Sequence, residues 1–590
     1  MTNNAPTARW LQWLRIALQA GKRLRPSGQK RTLVWAAVAG LLGGGAALGF
    51  RFAIEELQLW FLNPPTGSIA LFARLNTWER IAVPAVGGLL AGLTLVLGRR
   101  LVRGEATDYM EVIAIGDGHV PVRASIFRSL SALLSISSGE AIGREGPMVQ
   151  MAAAIASLLG RWLRVSPAQL RLLVACGAAA GIASAYNAPI AGALFVAEIV
   201  LGSIAMECFG PLVLASVMAS LVMRTLHGSS PLYELSQFRF EGTADLLAYA
   251  VLGALCGAVV PVFHWTLQAG RQIFSRFKLP LPLKLAVGGV VVGLLAISHP
   301  EVTGNGATVI HALIGNELAW DAIATLLVYK LLATSATFGS GAVGGVFTPA
   351  LLMGACIGSL FAMALGHLDR WEAIPPASCA VIGMAAFLAG ATRAPLMSIL
   401  MIFEMTLNSS VLVPVMTASV LGYYVARSLG GGSLYNEQLR EAAAGLFGRP
   451  VTSITVGQLM RKPEPALSPE SEFREIARRF VVPHAEWVPV SGIEGQFLGI
   501  VLRDDVENNL SDTDLQGIVI AGDLLRPAPV QLSPRTTLLD AIKMVTHATV
   551  EDAPVVGSDG KLIGVLGKND LLIALSQTGQ RSTAEAKPAE

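Results

Sequence analysis

The chain has 590 residues, of which 53% are hydrophobic and 14% are charged, and its formal net charge at pH 7 is +3. Residues 34–428 are too apolar for a water-soluble fold, which predicts a polytopic membrane protein. The sequence has no basic patch with interleaved aromatic residues and no metal-ligand, nucleophile or phosphate-loop motif, so neither a nucleic-acid partner nor an enzyme is expected.

The first 33 residues form a basic segment, with seven Lys or Arg residues and no Asp or Glu. Positive charge next to membrane helices stays on the cytoplasmic side. We therefore expect residues 1–33 to be a cytosolic segment of a protein in the cell (inner) membrane. Both the N-terminus and the C-terminus are expected in the cytoplasm.

Residues 34–436 are predicted to form an all-α domain embedded in membrane lipid. Several apolar runs there approach or reach the roughly 20 residues of a spanning helix. They are residues 32–48, 81–98, 248–262 and 283–297. Other apolar runs are interrupted by Gly or Pro and are too short to cross straight. Broken helices at membrane depth need protein or a watery cavity to shield their backbone, so the breaks predict a transport pathway.

This region contains two similar halves. Residues 138–147 (SGEAIGREGP) match residues 340–349 (SGAVGGVFTP), 202 positions later, and residues 177–200 match residues 383–406. Matching halves with Gly-interrupted apolar segments indicate an inverted-repeat transporter, whose site is made at the repeat interface by helix N-termini facing an anion. The halves extend over roughly 34–225 and 243–436.

Four short motifs follow one another along the two halves. They are GDGHVP at 116–121, GREGP at 143–147, GGVFTP at 344–349 and Tyr435 within GGSLYNE. With the repeat, these motifs make the chain similar to the CLC family of chloride channels and proton-coupled anion antiporters. The resemblance implies a CLC-type fold with broken helices, transmembrane passage of chloride or a similar small anion, and a homodimer.

The resemblance also implies that Glu145 is the gating glutamate, a carboxylate that occupies the outer anion position until it protonates or swings away. It implies further that the backbone amides of Val346 and Phe347 and the Tyr435 hydroxyl bind the central anion. The remaining pathway positions would be Asp117, Gly118, Gly143, Arg144 and Gly146.

Each of these roles has a structural alternative. Glu145 could cap a helix start, and Arg144 could be a structural counter-charge. Phe347 could be core packing, and Tyr435 could anchor the chain at the membrane interface.

Two positions depart from the family pattern. Asp117 stands where a serine usually donates to the anion. We expect it to cap its helix; the alternatives are that it is protonated or that it weakens the site. Ion selectivity among chloride, nitrate and fluoride is therefore open, with the intact GREGP motif favouring chloride over fluoride.

The second departure is Ile199, which stands where the best-known antiporters carry a proton-accepting glutamate. It favours a channel or uniporter, with a proton-coupled antiporter as the alternative because water wires can replace that carboxylate. The neighbouring Glu198 matches Glu404 in the second half, and both are expected to cap or brace helices. Glu207 is a weaker candidate relay.

Residues 450–577 read as a cytosolic α/β region containing a second repeat, with an offset of 65. This pair resembles tandem cystathionine-beta-synthase (CBS) modules. The resemblance implies a cleft that could bind an adenine nucleotide (ATP, ADP or AMP), with Asp505 and Asp570 on the ribose; alternatively both aspartates are helix N-caps. No cofactor is required for transport, and a membrane-anchored nucleotide sensor is the distant alternative function. Residues 578–590 are expected to be disordered.

Overall fold

The computed structural model describes most of the chain from residue 28 to residue 567. The described residues are 28–62, 72, 74–102, 108–114, 117–202, 206–228, 230–235, 238, 240, 242–367, 374–430, 432–435, 455–480, 487–509, 519–537, 540–541, 544–545 and 552–567. The expected basic segment up to residue 27 and the expected disordered tail at 578–590 lie outside them.

The chain forms two compact units. The larger consists of Met1–Tyr109, Val120–Ile199 and Ile204–Gly432, and the smaller of Met110–His119, Val200–Ser203 and Ser433–Glu590.

The described part of the membrane region is helical, and its helices fall into two sets in the same order. The first half has α1 (Gly28–Leu62), α2 (Thr77–Leu101), α3 (Tyr109–Ala114), α4 (Val122–Ser137), α5 (Glu145–Trp162), α6 (Pro167–Tyr186), α7 (Pro189–Leu194) and α8 (Met206–His227). The second half has α9 (Thr243–Arg276), α10 (Leu281–Ser298), α11 (Ala307–Ile314), α12 (Trp320–Ser340), α13 (Phe347–Leu365), α14 (Pro376–Thr392), α15 (Pro395–Thr406) and α16 (Leu412–Ser428). Each helix of one set has a counterpart in the other, as the sequence repeat predicts.

Nine helices of the described residues are long and apolar enough to cross a membrane. They include α2, α10 and the longer helices α1 and α9, and their apolar surfaces are partly exposed, as expected for helices that contact lipid. The predicted polytopic, all-α membrane fold is confirmed.

Helices α6 and α14 form the interior of the larger unit. Nearly every residue of both is buried, from Leu170 to Tyr186 and from Ser378 to Thr392. A helix that is apolar all round belongs inside a protein. Glycine permits the close contacts: a Cβ on Gly177 of α6 would lie 2.6 Å from the Ala152 carbonyl oxygen of α5.

The predicted helix breaks follow α6 and α14. Asn187 (φ 52°) and Arg393 (φ 60°) adopt the left-handed conformation that ends a helix. In both halves an Ala-Pro pair follows, and Pro189 and Pro395 start α7 and α15, where the missing amide hydrogen costs nothing. The two breaks place short helices α7 and α15 against each other.

The described part of the smaller unit contains two antiparallel β-hairpins. Strand β1 (Trp487–Ser491) pairs with β2 (Phe497–Leu502), and β3 (Asp552–Val556) pairs with β4 (Leu562–Gly567). Two short helices, α17 (Phe473–Arg479) and α18 (Arg503–Asn509), accompany the first hairpin.

The hairpins are related by the predicted offset of 65. Their pairing irregularities fall at equivalent places, after Val490 and after Val555. The two repeat copies also pair with each other: Ile500 of β2 pairs with Arg526 of the second copy, and Arg461 of the first copy pairs with Val565 of β4. The α/β tail therefore has its own internal pseudo-symmetry, as the repeat predicts.

Candidate functional site

Helices α5 and α13 begin beside each other because the glycines before them pair. The Gly143 amide donates to the Gly345 carbonyl (2.6 Å), and the Gly345 amide donates to the Gly143 carbonyl (2.9 Å). The first amides of an α-helix have no intrahelical acceptors and carry partial positive charge. This two-residue bridge therefore concentrates unsatisfied amides from both halves in one place.

Glu145, the first residue of α5, is buried at this junction and only 3% exposed. Its Oε1 accepts hydrogen bonds from the Tyr186 hydroxyl (2.6 Å) and from the Thr348 hydroxyl. These two hydroxyl oxygens lie 3.0 Å apart.

The other oxygen, Oε2, has no hydrogen-bond partner among the described residues. It lies against the glycine bridge, where a Cβ on Gly345 would come within 2.7 Å of it. One side of the carboxylate is thus held by hydroxyls, and the other faces bare backbone. A carboxylate placed this way occupies a position that suits any small anion.

The structure brings most of the predicted pathway positions of the two Gly-rich motifs together. Arg144 is the half-buried residue before α5, and Gly146 packs against Gly344. Val346 precedes α13 and is 3% exposed. The Phe347 ring is fully buried and packs on Tyr186, with ring centroids 5.1 Å apart.

Sequence reasoning missed Tyr186 and Thr348, which hold the carboxylate. A signal was present in the repeat. Tyr186 corresponds to Thr392, and Thr348 corresponds to Gly146, so both residues stand at positions where the two halves differ in residue type.

Asp117 and Gly118 lie in the smaller unit, and the expected helix-capping role of Asp117 is wrong. Helix α4 begins at Val122 with Pro121 before it. The Asp117 carboxylate instead folds back on its own loop: Oδ1 accepts from the His119 amide (2.9 Å) and Oδ2 lies 3.0 Å from His119 Nδ1. The turn uses the positive φ (86°) of the buried Gly118.

Tyr435, also in the smaller unit, is half-buried in a short helical turn at 434–435. Its predicted contact with the central anion stays a prediction.

Glu198 and Glu404 each cap a helix of the other half. Glu198 accepts from the Leu396 and Met397 amides at the start of α15 (3.3 and 2.8 Å). Glu404 accepts from the Ile190 and Ala191 amides at the start of α7 (2.9 and 2.8 Å). This is the bracing arrangement that the sequence predicts, and its reciprocity is what a two-fold relation between halves produces.

Ile199 is buried, 9% exposed, in a π-helical segment at Phe195–Val200 that continues α7. Its counterpart α15 is a regular α-helix over the same stretch. Such π segments occur frequently at functional sites. The Glu207 side chain lies outside the described residues.

Of the two tail aspartates, Asp505 is described and Asp570 is not. Asp505 is the third residue of α18, so the helix N-cap alternative is wrong for it. Its side chain is 14% exposed, and its Oδ1 accepts from Arg526 Nη2 (2.6 Å). Because Arg526 belongs to the second repeat copy, this pair lies where the two copies meet. Within the described residues no group of His, Cys, Asp and Glu side chains could hold a metal ion.

Known proteins resemble this chain in sequence and structure. The family described as "Voltage gated chloride channel" matches residues 87–427, and the CBS domain family matches residues 521–577. A ClcB-like chloride channel protein of Ralstonia nicotianae is 48% identical over 411 residues, which cover 68% of this chain and 96% of that relative.

Two solved structures have the same fold. A slow cyanobacterial Cl−/H+ antiporter matches with a TM-score of 0.63 and 27% identity, over 71% of this chain and 98% of the other. A eukaryotic CLC transporter matches with a TM-score of 0.62 and 21% identity, over 92% of this chain and 98% of the other. The predicted fold class, a CLC-type membrane domain followed by a CBS domain, is confirmed.

Proposed function

Since the chain belongs to the voltage-gated chloride channel (CLC) family, we propose that it carries chloride across the cell membrane through a pathway gated by Glu145. The supporting observation is the placement of the Glu145 carboxylate between two helix N-termini from opposite halves. A carboxylate there competes with chloride for the same amides. Protonation, or rotation away from the Tyr186 and Thr348 hydroxyls, frees the position for an incoming anion.

Neutral backbone amides suit rapid passage. A fixed full positive charge would hold the halide tightly and slow its exit, whereas amide dipoles attract it and still release it. The pathway positions Gly143, Gly146, Val346 and Phe347 contribute such backbone, and Asp117, Gly118 and Tyr435 are proposed to line its other part. Asp117 is compatible with an anion pathway because its carboxylate is engaged by His119.

We propose conduction without obligatory proton coupling as the first mechanism. Ile199 carries no ionisable group, and the neighbouring Glu198 is committed to two amides of α15. A Cl−/H+ antiporter is the second candidate, because a 27% identical solved structure is named as one.

Reconstituted liposomes test both mechanisms. Vesicles loaded with chloride are diluted into low-chloride buffer, and chloride efflux and internal pH are recorded together, with and without a protonophore. Efflux without proton movement is expected. Uphill proton movement coupled to efflux would replace conduction by antiport, and no efflux from well-folded protein would contradict chloride transport.

The same family membership supports a homodimer with both termini in the cytoplasm, a membrane domain over 34–436 and a tandem CBS domain over 450–577. An adenine nucleotide is the proposed ligand of the CBS pair, and its site would include Asp570 and Asp505, of which Asp505 lies at the contact between copies.

A further inference from the structure

Glu140 is a buried carboxyl that the proposed pathway does not use. It lies in the loop between α4 and α5 and is 0% exposed. Within the described residues neither of its oxygens makes a hydrogen bond of good geometry, and the same holds for the Ser135 hydroxyl, which lies close enough to interact with it. By contrast, the buried Glu145 and Glu404 and the partly buried Glu198 each accept two hydrogen bonds.

The fold of the loop does not need this carboxyl, because the second half makes the same loop with Ala342 at the corresponding position. The Glu140 amide donates to the Ser135 carbonyl (3.1 Å), and the Ala342 amide donates to the Thr337 carbonyl (3.4 Å). Gly139 and Gly341, one residue earlier, have φ of 92° and 96°. A carboxyl that an alanine replaces in an equivalent loop is present for another reason than folding.

Among the described residues, no cation forms an ion pair or hydrogen bond with Glu140. Helix α2 presents Gly88, whose added Cβ would lie 2.6 Å from Glu140 Oε1, and α10 presents the Leu285 backbone at the same place. The buried Lys330 of α12 is bonded instead to the Val302 and Gly304 carbonyls (2.7 and 2.6 Å). The other ionisable groups of α2, α10, α12 and the adjoining loop are all partly or fully exposed; they are Glu79, Arg80, Arg99, Arg100, Lys284, His299, Glu301, Asp321 and Tyr329.

An ionised carboxylate here would be an unpaired buried charge, which a protein tolerates poorly. A carboxyl that holds its proton avoids that cost, and a water shared with the Ser135 hydroxyl would satisfy both polar groups. Ionisation therefore requires the loop to move toward water.

Movement of this loop reaches the anion site through backbone contacts. The Gly304 amide donates to the Gly139 carbonyl (2.9 Å), and the Ala141 amide donates to Thr337 Oγ1 (3.3 Å). Two residues further on, Gly143 makes the bridge to Gly345 that joins the N-termini of α5 and α13.

We propose that Glu140 is a second proton-binding site, distinct from Glu145, whose proton keeps the 138–144 loop in the conformation that preserves the Gly143–Gly345 bridge. The proton forms an O–H bond with a Glu140 carboxyl oxygen, and on release it passes to water. The Gly143–Gly345 bridge is intact while Glu140 is protonated. Chloride flux is therefore present at low pH and is lost as pH rises through the Glu140 titration.

Infrared spectroscopy detects the proton directly. The full chain carrying Glu145→Ala, which removes the gate carboxyl, is reconstituted, and pH difference spectra are recorded in the carbonyl-stretch region of carboxylic acids. A band that titrates is expected, and it should be absent after adding Glu140→Gln. Difference spectra that Glu140→Gln leaves unchanged, or no titrating band in Glu145→Ala, would overturn the proposal; bands of the other carboxyls titrate in both variants and cancel in the comparison.

Flux measurements give the second readout, which rests on the proposed chloride transport, whereas the infrared readout does not. In Glu145→Ala, chloride efflux should fall about tenfold per pH unit beyond the step, as release of one proton requires. Adding Glu140→Gln, or Glu140→Ala to copy Ala342, should remove that step, while adding Glu317→Gln at an exposed site should leave it. A step that persists without Glu140 contradicts the proposal. If no variant shows flux, chloride transport fails and the infrared result alone decides the proton site.

Discussion

At the scale of single residues, the site depends on which groups compete for the amides at the start of α5 and α13. The Glu145 carboxylate lies beside these amides and is held by the Tyr186 and Thr348 hydroxyls, so under the proposed function chloride has to displace it. Glu145→Ala removes the competitor and should tighten chloride binding by roughly tenfold, about 1.4 kcal/mol. Calorimetric titration of the purified protein with chloride measures the Kd.

Glu145→Gln is the matched variant for this binding measurement, because it removes the charge and keeps the size. It should give an intermediate Kd, since the amide still fills the position. Equal chloride affinity in the original protein and in Glu145→Ala would show that the carboxylate and the ion do not share a position.

The hydroxyl of Tyr186 gives a second prediction at this scale. A hydrogen bond to a charged group contributes about 1.5–3 kcal/mol, so Tyr186→Phe should loosen the Glu145 carboxylate. Chloride efflux at neutral pH should then rise roughly tenfold. A chloride electrode on proteoliposomes records it. Tyr249→Phe removes another buried tyrosine hydroxyl and should leave the rate unchanged; a slower Tyr186→Phe would mean that the hydroxyl serves the ion and not the gate.

At the scale of elements, the sequence predicted the repeat, the helix breaks and the bracing role of Glu198 and Glu404. The residues that end a helix in a left-handed cap and the Ala-Pro pairs that follow are neighbours in the chain, so these features can be predicted from the sequence alone. The partners of the two glutamates could not be predicted, because each caps a helix about 200 residues away. The π-helical segment at Phe195–Val200 was equally hidden, since hydrophobic periodicity does not report which carbonyl an amide selects.

The reciprocal caps predict matched losses of stability. Glu198→Ala and Glu404→Ala each leave two amides of a partly buried helix start without an acceptor, which costs about 2 kcal/mol. Each should lower Tm by roughly 2–4 °C in detergent, measured by thermal unfolding. A proton relay at Glu198 would give another result: Glu198→Ala would lose proton movement while Tm stayed unchanged, and Glu404→Ala would not copy it.

At the scale of the whole molecule, the sequence predicted more about the repeat of the membrane domain than about the repeat of the tail. The motifs around Glu145 predicted the family and the fold by their resemblance to CLC sequences, because glycines and small residues in a fixed order are a pattern that the sequence shows directly. The tail repeat predicted two similar hairpins, but neither reading of Asp505, a ribose contact or a helix N-cap, predicted that the third residue of α18 pairs with Arg526. That pairing crosses between copies, so neither copy alone contains the signal.

Removing the tail distinguishes the two functions proposed for the whole chain, a chloride transporter and a membrane-anchored nucleotide sensor. The 48% identical relative aligns over 411 residues that make up 96% of its own length, so it has no room for a second domain of this size. A chain ending at residue 449 should therefore still carry chloride across liposome membranes, at a rate of the same order as the full chain. If the CBS pair is a nucleotide-responsive regulator, added ATP should change efflux from the full chain and not from the shortened one. Loss of efflux from a shortened chain that keeps its Tm would instead make the tail part of the transport machinery, and a nucleotide response with no efflux from either chain would favour the membrane-anchored sensor.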